Sequence, residues 1–520
     1  MSLHHPDSPT STFEGPPVAL DEDLEKQLEH AVAGTLGEGN SRASSRDDAG
    51  KTSTPDAPLP PGRLALDDPI NPIGWSTSKK ILVNAVLNIW VLTLTYASTA
   101  YVASIPAIMR HFHVGQTVAL LGVTLLVLGF AAGPLILGPA SELYGRRPVY
   151  LVCGLAYSAF SFGAAFAPNA ASLLTFRFII GFAGSAAINN VPASIGDFTV
   201  PATRGPYAII YAICAFGGPS LGPLCSAFIE VDAGFRWNLR VMAIFSTVLS
   251  LCVAFVPETH HPTLVRRRAA KVAALEAPAS ARIGEVLQVF KVALSRPVVF
   301  FCTEPIVLFI SIYLSILYGV LYGFFEAFTV VWVEIRGWSL QHYGLTYISL
   351  GLGFVVGAAL NAILGTKWYL AEVKKALERG ETTVPPEARL SLVIPGAIIC
   401  PISLFLFAWT APFTHVHWIL PCIAEFLFGL SVLLIFTSFI PLLIDSYQAH
   451  AASALAAGMA SRALIGCVFP LFTLPMYHRL TVQGATSLLG GIACLCAPIP
   501  FVFMRIGPDL RRRSKYAAGM

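Results

Sequence analysis

The chain has 520 residues, 55% of them hydrophobic and only 12% charged, with a formal net charge of +4. So apolar a composition excludes a water-soluble globular protein, and so small a net charge gives no electrostatic ground for a nucleic-acid partner. Helices of about 20 apolar residues bond their own backbone in lipid, so the expected fold is an all-α polytopic membrane protein. The 42 glycines and 37 prolines agree, because packed membrane helices tolerate both. The ten cysteines form no Cys-x-x-Cys pair or Cys/His cluster, so no metal site is expected.

Residues 1–66 are a different polymer. They are rich in Ser, Thr, Pro and Gly, carry acids such as Asp21, Glu22, Asp23 and Glu25, and show no apolar periodicity. Such a composition buries too little apolar surface to offset its ordering entropy, so a disordered cytoplasmic tail is expected. No charged-then-apolar leader opens the sequence. The first apolar helix, near Ile81, is expected to act as an uncleaved targeting signal.

Twelve spans follow, at 81–103, 117–138, 148–167, 172–194, 206–229, 238–256, 298–324, 344–365, 391–411, 417–443, 452–474 and 485–505. They divide into an N-terminal six-helix half (67–256) and a C-terminal six-helix half (298–505), with a basic tail over 506–520. The connecting loop, 257–297, carries Arg266, Arg267, Arg268, Lys271, Arg282, Lys291 and Arg296. Other bases collect on the same side: Lys79 and Lys80, Arg146 and Arg147, Arg204, Lys367 to Arg389, and Arg511 to Arg513. The opposite connections hold only the isolated Arg110, Arg236, Arg336 and Arg479. The basic side is read as cytoplasmic, which puts both termini inside and requires an even number of spans. Two six-helix halves around a midplane site suit alternating access.

Between the second and third spans the sequence runs Gly138-Pro139-Ala140-Ser141-Glu142-Leu143-Tyr144-Gly145-Arg146-Arg147. Its glycines allow a tight turn and close helix approach, and its acid and arginines can form charge-assisted bonds that lock an inner gate. The run resembles the signature of the major facilitator superfamily, Gly-x-x-x-Asp-x-x-Gly-Arg-Arg/Lys at the same location. Glu142 stands where that signature has Asp, which keeps the charge and changes its reach. Asp197, at the cytoplasmic end of the fourth span, is an available ionic partner for Arg146 or Arg147, or else a solvated helix-end acid. The alternative for the whole run is a basic turn that orients the helices without gating.

In the fourth span, Arg177-Phe178-Ile179-Ile180-Gly181 resembles the superfamily's Arg-x-x-x-Gly pattern. An arginine in an apolar stretch costs at least ~2.5 kcal/mol on insertion scales, so Arg177 should face the bundle interior or snorkel to the outer surface. In related antiporters this arginine is implicated in proton coupling. In the fifth span, Gly217-Gly218-Pro219-Ser220-Leu221-Gly222-Pro223 resembles the Gly-Pro motif of the drug:proton antiporter branch, with Cys214 in place of its upstream glycine. That resemblance implies a kinked helix packed at the interface of the halves.

Several further segments resemble the fungal twelve-span drug:proton antiporters. They are Asp68 to Ser76, Pro257-Glu258-Thr259, Glu304-Pro305-Ile306 with Tyr313, Tyr318 and Tyr322, and the stretch from Asp445 through Arg462 to Phe472. The resemblance covers residues 67–516. It implies proton-coupled efflux of an amphipathic small molecule, such as a drug, toxin or secondary metabolite. The energy source would be the proton gradient, with no cofactor, and the protein would work as a monomer in the plasma membrane or, alternatively, the vacuolar membrane. A polyamine or organic-acid exporter of the same fold is the first alternative. A non-transporting sensor or an intramembrane enzyme is more remote, since the 12 histidines fall in the tail, loops or span ends without a triad or metal spacing.

Proton coupling calls for buried acids. Glu425, about eight residues and roughly 12 Å into the tenth span, is the most deeply placed acid of the second half. It is a candidate for coupling or cargo choice, or equally a structural partner for a neighbouring helix. Glu304 and Glu326 flank the seventh span about 33 Å apart and are expected near opposite interfaces. Asp445, a further candidate for proton coupling, lies near the inner surface, where it could gate rather than shuttle. A cavity wall of uncharged polar and aromatic groups is expected from Asn84, Asn88, Tyr96, Asn189, Asn190, Tyr318, Tyr322 and Phe325, with Glu425 as its acid.

Overall fold

The computed structural model describes residues 68, 70–200, 203–272, 283–379, 385–447, 451–514 and 516–517. The expected disordered tail, 1–66, lies outside the described residues, as do Arg282 in the central loop and 518–520 in the basic tail. Every regular element among the described residues is a helix.

Among the described residues, eleven helical stretches are long and apolar enough to cross a membrane. The last, Ser453–Arg513, has 61 residues, about 90 Å of helix against a hydrocarbon core of about 30 Å. Its backbone breaks at Thr481 (φ 62°). The hydroxyls of Tyr477 and Thr486 then meet at 2.8 Å, where a straight helix would hold those residues about 13 Å apart. The chain therefore turns back at Thr481 and crosses again, giving twelve passes. A similar break at Gly234 (φ 78°) separates the fifth pass from the sixth.

We number the spanning helices α1 (Thr77–Thr99), α2 (Gln116–Tyr144), α3 (Arg146–Ala165), α4 (Ala170–Phe198), α5 (Arg204–Ala233) and α6 (Phe235–Ala254). The second half has α7 (Pro305–Ile335), α8 (Leu340–Ala376), α9 (Pro386–Thr410), α10 (Ile419–Tyr447), α11 (451–480) and α12 (482–496). The sequence expectation for the seventh span is displaced. Pro305 opens α7, because proline suits a first helical turn and drives the preceding residue out of the α region; Glu304 is extended (φ −105°, ψ 103°). Residues Ile283–Thr303 form a separate helix. At its far end α7 runs past 324 and widens into a π-helical turn over Thr329–Ile335, which buries Trp332. Glu326 lies inside the bundle at 5% exposure, nine residues before the end of α7.

The two halves repeat one packing pattern. α1 lies on α5 and α2 on α4; six helices later α7 lies on α11 and α8 on α10. The halves meet where α2 packs on α11 and α5 on α8. Isolated arginines close the same joint in each half on the face opposite the basic one. Arg236 donates to the carbonyls of Ala165 (3.2 Å) and Ala167 (3.0 Å) at the end of α3. Arg336 donates to those of Thr410, Ala411, Phe413 and Val416 after α9. Both bond carbonyls at a helix end or in the loop that follows it.

The Gly-Pro run of α5 shows why its small residues are needed. A Cβ on Gly218 would lie 2.0 Å from the Thr95 hydroxyl, and one on Gly222 2.1 Å from that of Thr99. These two glycines let α5 press against α1, within one half. Pro223 has no N–H, so the carbonyl of Pro219 loses its helical partner. The Thr99 hydroxyl donates to that carbonyl at 3.1 Å. The α8-facing side of the run is carried instead by Ser220 and the Pro223 carbonyl. Gly217 faces open space.

Candidate functional site

On the basic face, the start of α3 is built around a carboxylate from elsewhere. Glu258, just past α6, accepts the backbone N–H groups of Arg146 (2.9 Å), Arg147 (3.3 Å), Thr259 (3.1 Å) and His260 (3.0 Å). A helix N-terminus offers unpaired amides and a positive dipole end, both of which favour an anion. Gly145, at φ 100°, makes the approach possible, since a Cβ there would lie 2.4 Å from Glu258 Oε2. The buried Arg146 guanidinium reaches across to Asp197 (3.3 Å) and the Ser141 hydroxyl (2.5 Å). Asp197 also accepts from Thr259 (3.2 Å). This network ties α2, α3, α4 and the end of α6 into one cluster. Burial, reinforced by the Arg146 charge, holds the His260 ring down to about 4.

The expected gate residues divide on this evidence. Gly145, Arg146 and Asp197 come together in the cluster. Arg147 joins through its backbone, while its side chain reaches the Ala254 carbonyl at 3.4 Å. A Cβ on Gly138 would meet Asn189. Glu142 is exposed and makes none of the described contacts of the cluster. The carboxylate that meets the start of α3 is Glu258 instead. The second half has its own version: Arg389, in the first turn of α9, pairs with Asp445 at the end of α10 (3.0 Å) and stacks on Tyr369.

At mid-depth the halves meet in an aromatic seam. Arg462 of α11 lies over the rings of Tyr318 (5.3 Å) and Phe436 (5.2 Å). The Tyr318 hydroxyl donates to that of Tyr322 (3.4 Å), which bonds Ser98 of α1 at 3.1 Å. Phe216 of α5 packs on Phe354 and Phe436 from the other half. Phe325 is buried between Tyr322 and Tyr347. Tyr96 is half-buried on α1.

Arg177, 1% exposed, faces inward and not the outer surface. It donates to the carbonyls of Gly122 (2.9 Å), Ala97 (2.9 Å) and Ser98 (3.5 Å), and stacks on Tyr101. Its bonds are all to backbone, which clips α4 to α1 and α2. The asparagines are occupied locally. Asn88 donates to the side-chain and backbone oxygens of Asn84, both at 2.8 Å. Asn190 accepts from Asn189 (3.1 Å) and Ser141 (3.3 Å), which attaches the pair to the Arg146 cluster.

Glu425 is fully buried in α10. Trp332 Nε1 donates to one of its oxygens at 3.0 Å and the Ser349 hydroxyl to the other at 2.5 Å. Among the described residues no basic side chain forms an ion pair with it. Sequence reasoning did not select Trp332, Ser349 or Glu258. Pro257-Glu258-Thr259 is visible as a span ending, but the amides that it binds lie 112 and 111 residues away. Among the described residues no group of three or more His, Cys, Asp or Glu side chains is placed to hold a metal.

Twelve passes in two repeated halves, joined at a polar aromatic seam, define a multi-pass integral membrane protein. Residues 87–470 match the Major Facilitator Superfamily. The Efflux pump FUBT of Fusarium oxysporum is 39% identical over 439 residues, covering 82% of this chain and 72% of that protein. The MFS-type efflux pump MFS2 of Trichophyton rubrum is 41% identical over 458 residues, covering 86% and 76%. The proton:xylose symporter XylE bound to 6-bromo-6-deoxy-D-glucose shares the fold at TM-score 0.61 and 16% identity, over 83% of this chain and 97% of that one. The chain belongs to the Major Facilitator Superfamily.

Proposed function

We propose that this protein exports amphipathic small molecules in exchange for protons, by alternating access of its two halves. The relatives named as efflux pumps support the direction of transport. The observation that carries proton coupling is Glu425, a membrane-buried carboxyl with both oxygens hydrogen-bonded to neutral donors. A buried carboxylate without a cation is costly, and taking up a proton removes the charge. The Arg146–Asp197–Glu258 cluster and the Arg389–Asp445 pair stiffen the basic ends of the two halves, so that they move as units about the α2/α11 and α5/α8 contacts. Arg177 acts as the clip of the first bundle. Asp445 serves the gate and leaves proton transfer to Glu425. The basic face is cytoplasmic, the membrane is the plasma membrane, and the monomer is the working unit, with the proton gradient in place of any cofactor.

A polyamine cargo fits less well. Its ammonium groups need several carboxylates facing the seam, and the charge that faces it is the Arg462 guanidinium. The test is uptake of a fluorescent amphipath by inverted vesicles with an acidic interior. Uptake should fall to the passive level when an ionophore collapses the gradient. Uptake that ignores the collapse would rule out antiport.

A further inference from the structure

Arg462 has a setting that no gate or bundle contact accounts for. It lies about 16 Å along α11 from the basic face; Phe436 on α10 lies at a similar depth, and Tyr318 on α7 about 20 Å in. All three meet at the seam between the halves. The side chain is half-buried, and among the described residues no carboxylate forms an ion pair with it. Arg177 spends its donors on three carbonyls. Arg462 instead presents a planar guanidinium whose described contacts are ring faces. A guanidinium fork matches a carboxylate with two parallel bonds, and rings beside it bind an aromatic body by stacking.

We propose that Arg462 is the cargo-binding cation of the seam, and that the cargo it selects is an aromatic carboxylate. The carboxylate bridges the guanidinium, and its ring packs among Tyr318, Phe436 and Phe216. This assignment rests on the efflux reading above and narrows it to an anionic cargo. It also accounts for a cation kept at mid-membrane without an acid beside it, where insertion alone disfavours it. Export of a monoanion in exchange for a proton moves both charges in the direction that an inside-negative potential favours.

The test is equilibrium binding to the full chain in lipid nanodiscs, with three probes of one shape: 2-naphthoate, 2-naphthamide and 2-naphthylmethylammonium. Wild type should bind the naphthoate about tenfold more tightly than the amide, with the ammonium weakest. Arg462→Gln should bring naphthoate and amide within about twofold, and Arg462→Lys, which keeps the charge but not the fork, should fall between. Equal binding of acid and amide by wild type, or a preference that survives in Arg462→Gln, overturns the assignment. The wild-type comparison does not depend on any variant folding. Uptake of the same probes under a pH gradient separates the two readings. Preferential naphthoate binding without proton-driven uptake of any probe removes the efflux reading and leaves the site. Proton-driven uptake of all three probes alike, without a binding preference, removes the site and leaves efflux.

Discussion

Arg177 in the first half and Glu425 in the second are opposite charges, each at most 1% exposed, and they are satisfied in opposite ways. In the first, the deeply buried cation Arg177 is held by three backbone carbonyls and a ring face, partners that cannot titrate. In the second, the deeply buried acid Glu425 is held by an indole and a hydroxyl, neutral donors on the side chains of α7 and α8. The first arrangement fixes a charge permanently and serves as a joint. The second leaves a carboxyl whose charge can be removed by one proton, which suits a coupling element. The same division recurs on the basic face, where the first half gathers Glu258, Arg146 and Asp197 into one cluster and the second offers the half-exposed Arg389–Asp445 pair.

The largest effect is expected from Arg177→Leu. If the guanidinium is a structural clip, its loss removes the bonds to the Ala97 and Gly122 carbonyls and leaves a cavity among α1, α2 and α4, which should cost about 3 kcal/mol or more. Thermal unfolding in detergent would show this as a lower midpoint and poor yield, partly recovered by Arg177→Lys. Full stability with loss of proton-driven transport would instead give Arg177 the coupling role. Next in size is Glu425→Gln, which keeps volume and hydrogen bonding but cannot titrate. Proton-driven transport should fall by about tenfold or more and its pH dependence should flatten, at near-normal surface abundance. Equal rates across the pH range would make Glu425 a structural group.

The α5 glycines test whether the first half is a tightly fastened scaffold. Gly222→Ala should cost about 1–3 kcal/mol through its clash with Thr99 and the α1 backbone, while Gly217→Ala should stay within about 0.5 kcal/mol. Equal effects in melting curves would break the packing argument. On the basic face, Glu258→Gln should lower stability by about 1 kcal/mol and slow transport several-fold by weakening the charge at the start of α3. Glu142→Gln should leave both unchanged.

The smallest effect concerns His260. Its ring is held down to about 4 by burial, below the usual value of about 6.5. A depressed histidine contributes stability that is present above the unfolded value and lost as pH falls toward the folded one. Stability should therefore decline between about pH 6.5 and 4, and His260→Gln should shallow that decline slightly in acid-unfolding curves.

The membrane class, the twelve passes, the two halves and most span boundaries, within a few residues, could be read from the amino acids alone. The reason is that a helix in lipid must satisfy its backbone within its own segment, so length and apolarity suffice to locate it. The Arg146 turn and the Gly-Pro run were also legible, because a tight turn and a close helix contact demand local residue types. The partners emerge only when the helices pack. Glu258 meets α3 across 112 residues, Trp332 and Ser349 meet Glu425 across 93 and 76, and Ser98 meets Tyr322 across 224. Glu142 has the right charge at the signature position, yet its side chain faces outward and the anion at the helix start comes from Glu258. No local pattern encodes which distant side chain arrives at a buried donor, since that depends on how the helices rotate and cross when they pack. The seventh span shows the same limit on a smaller scale. Glu326 marked an end by its charge, but packing around Trp332 carried α7 past it to Ile335.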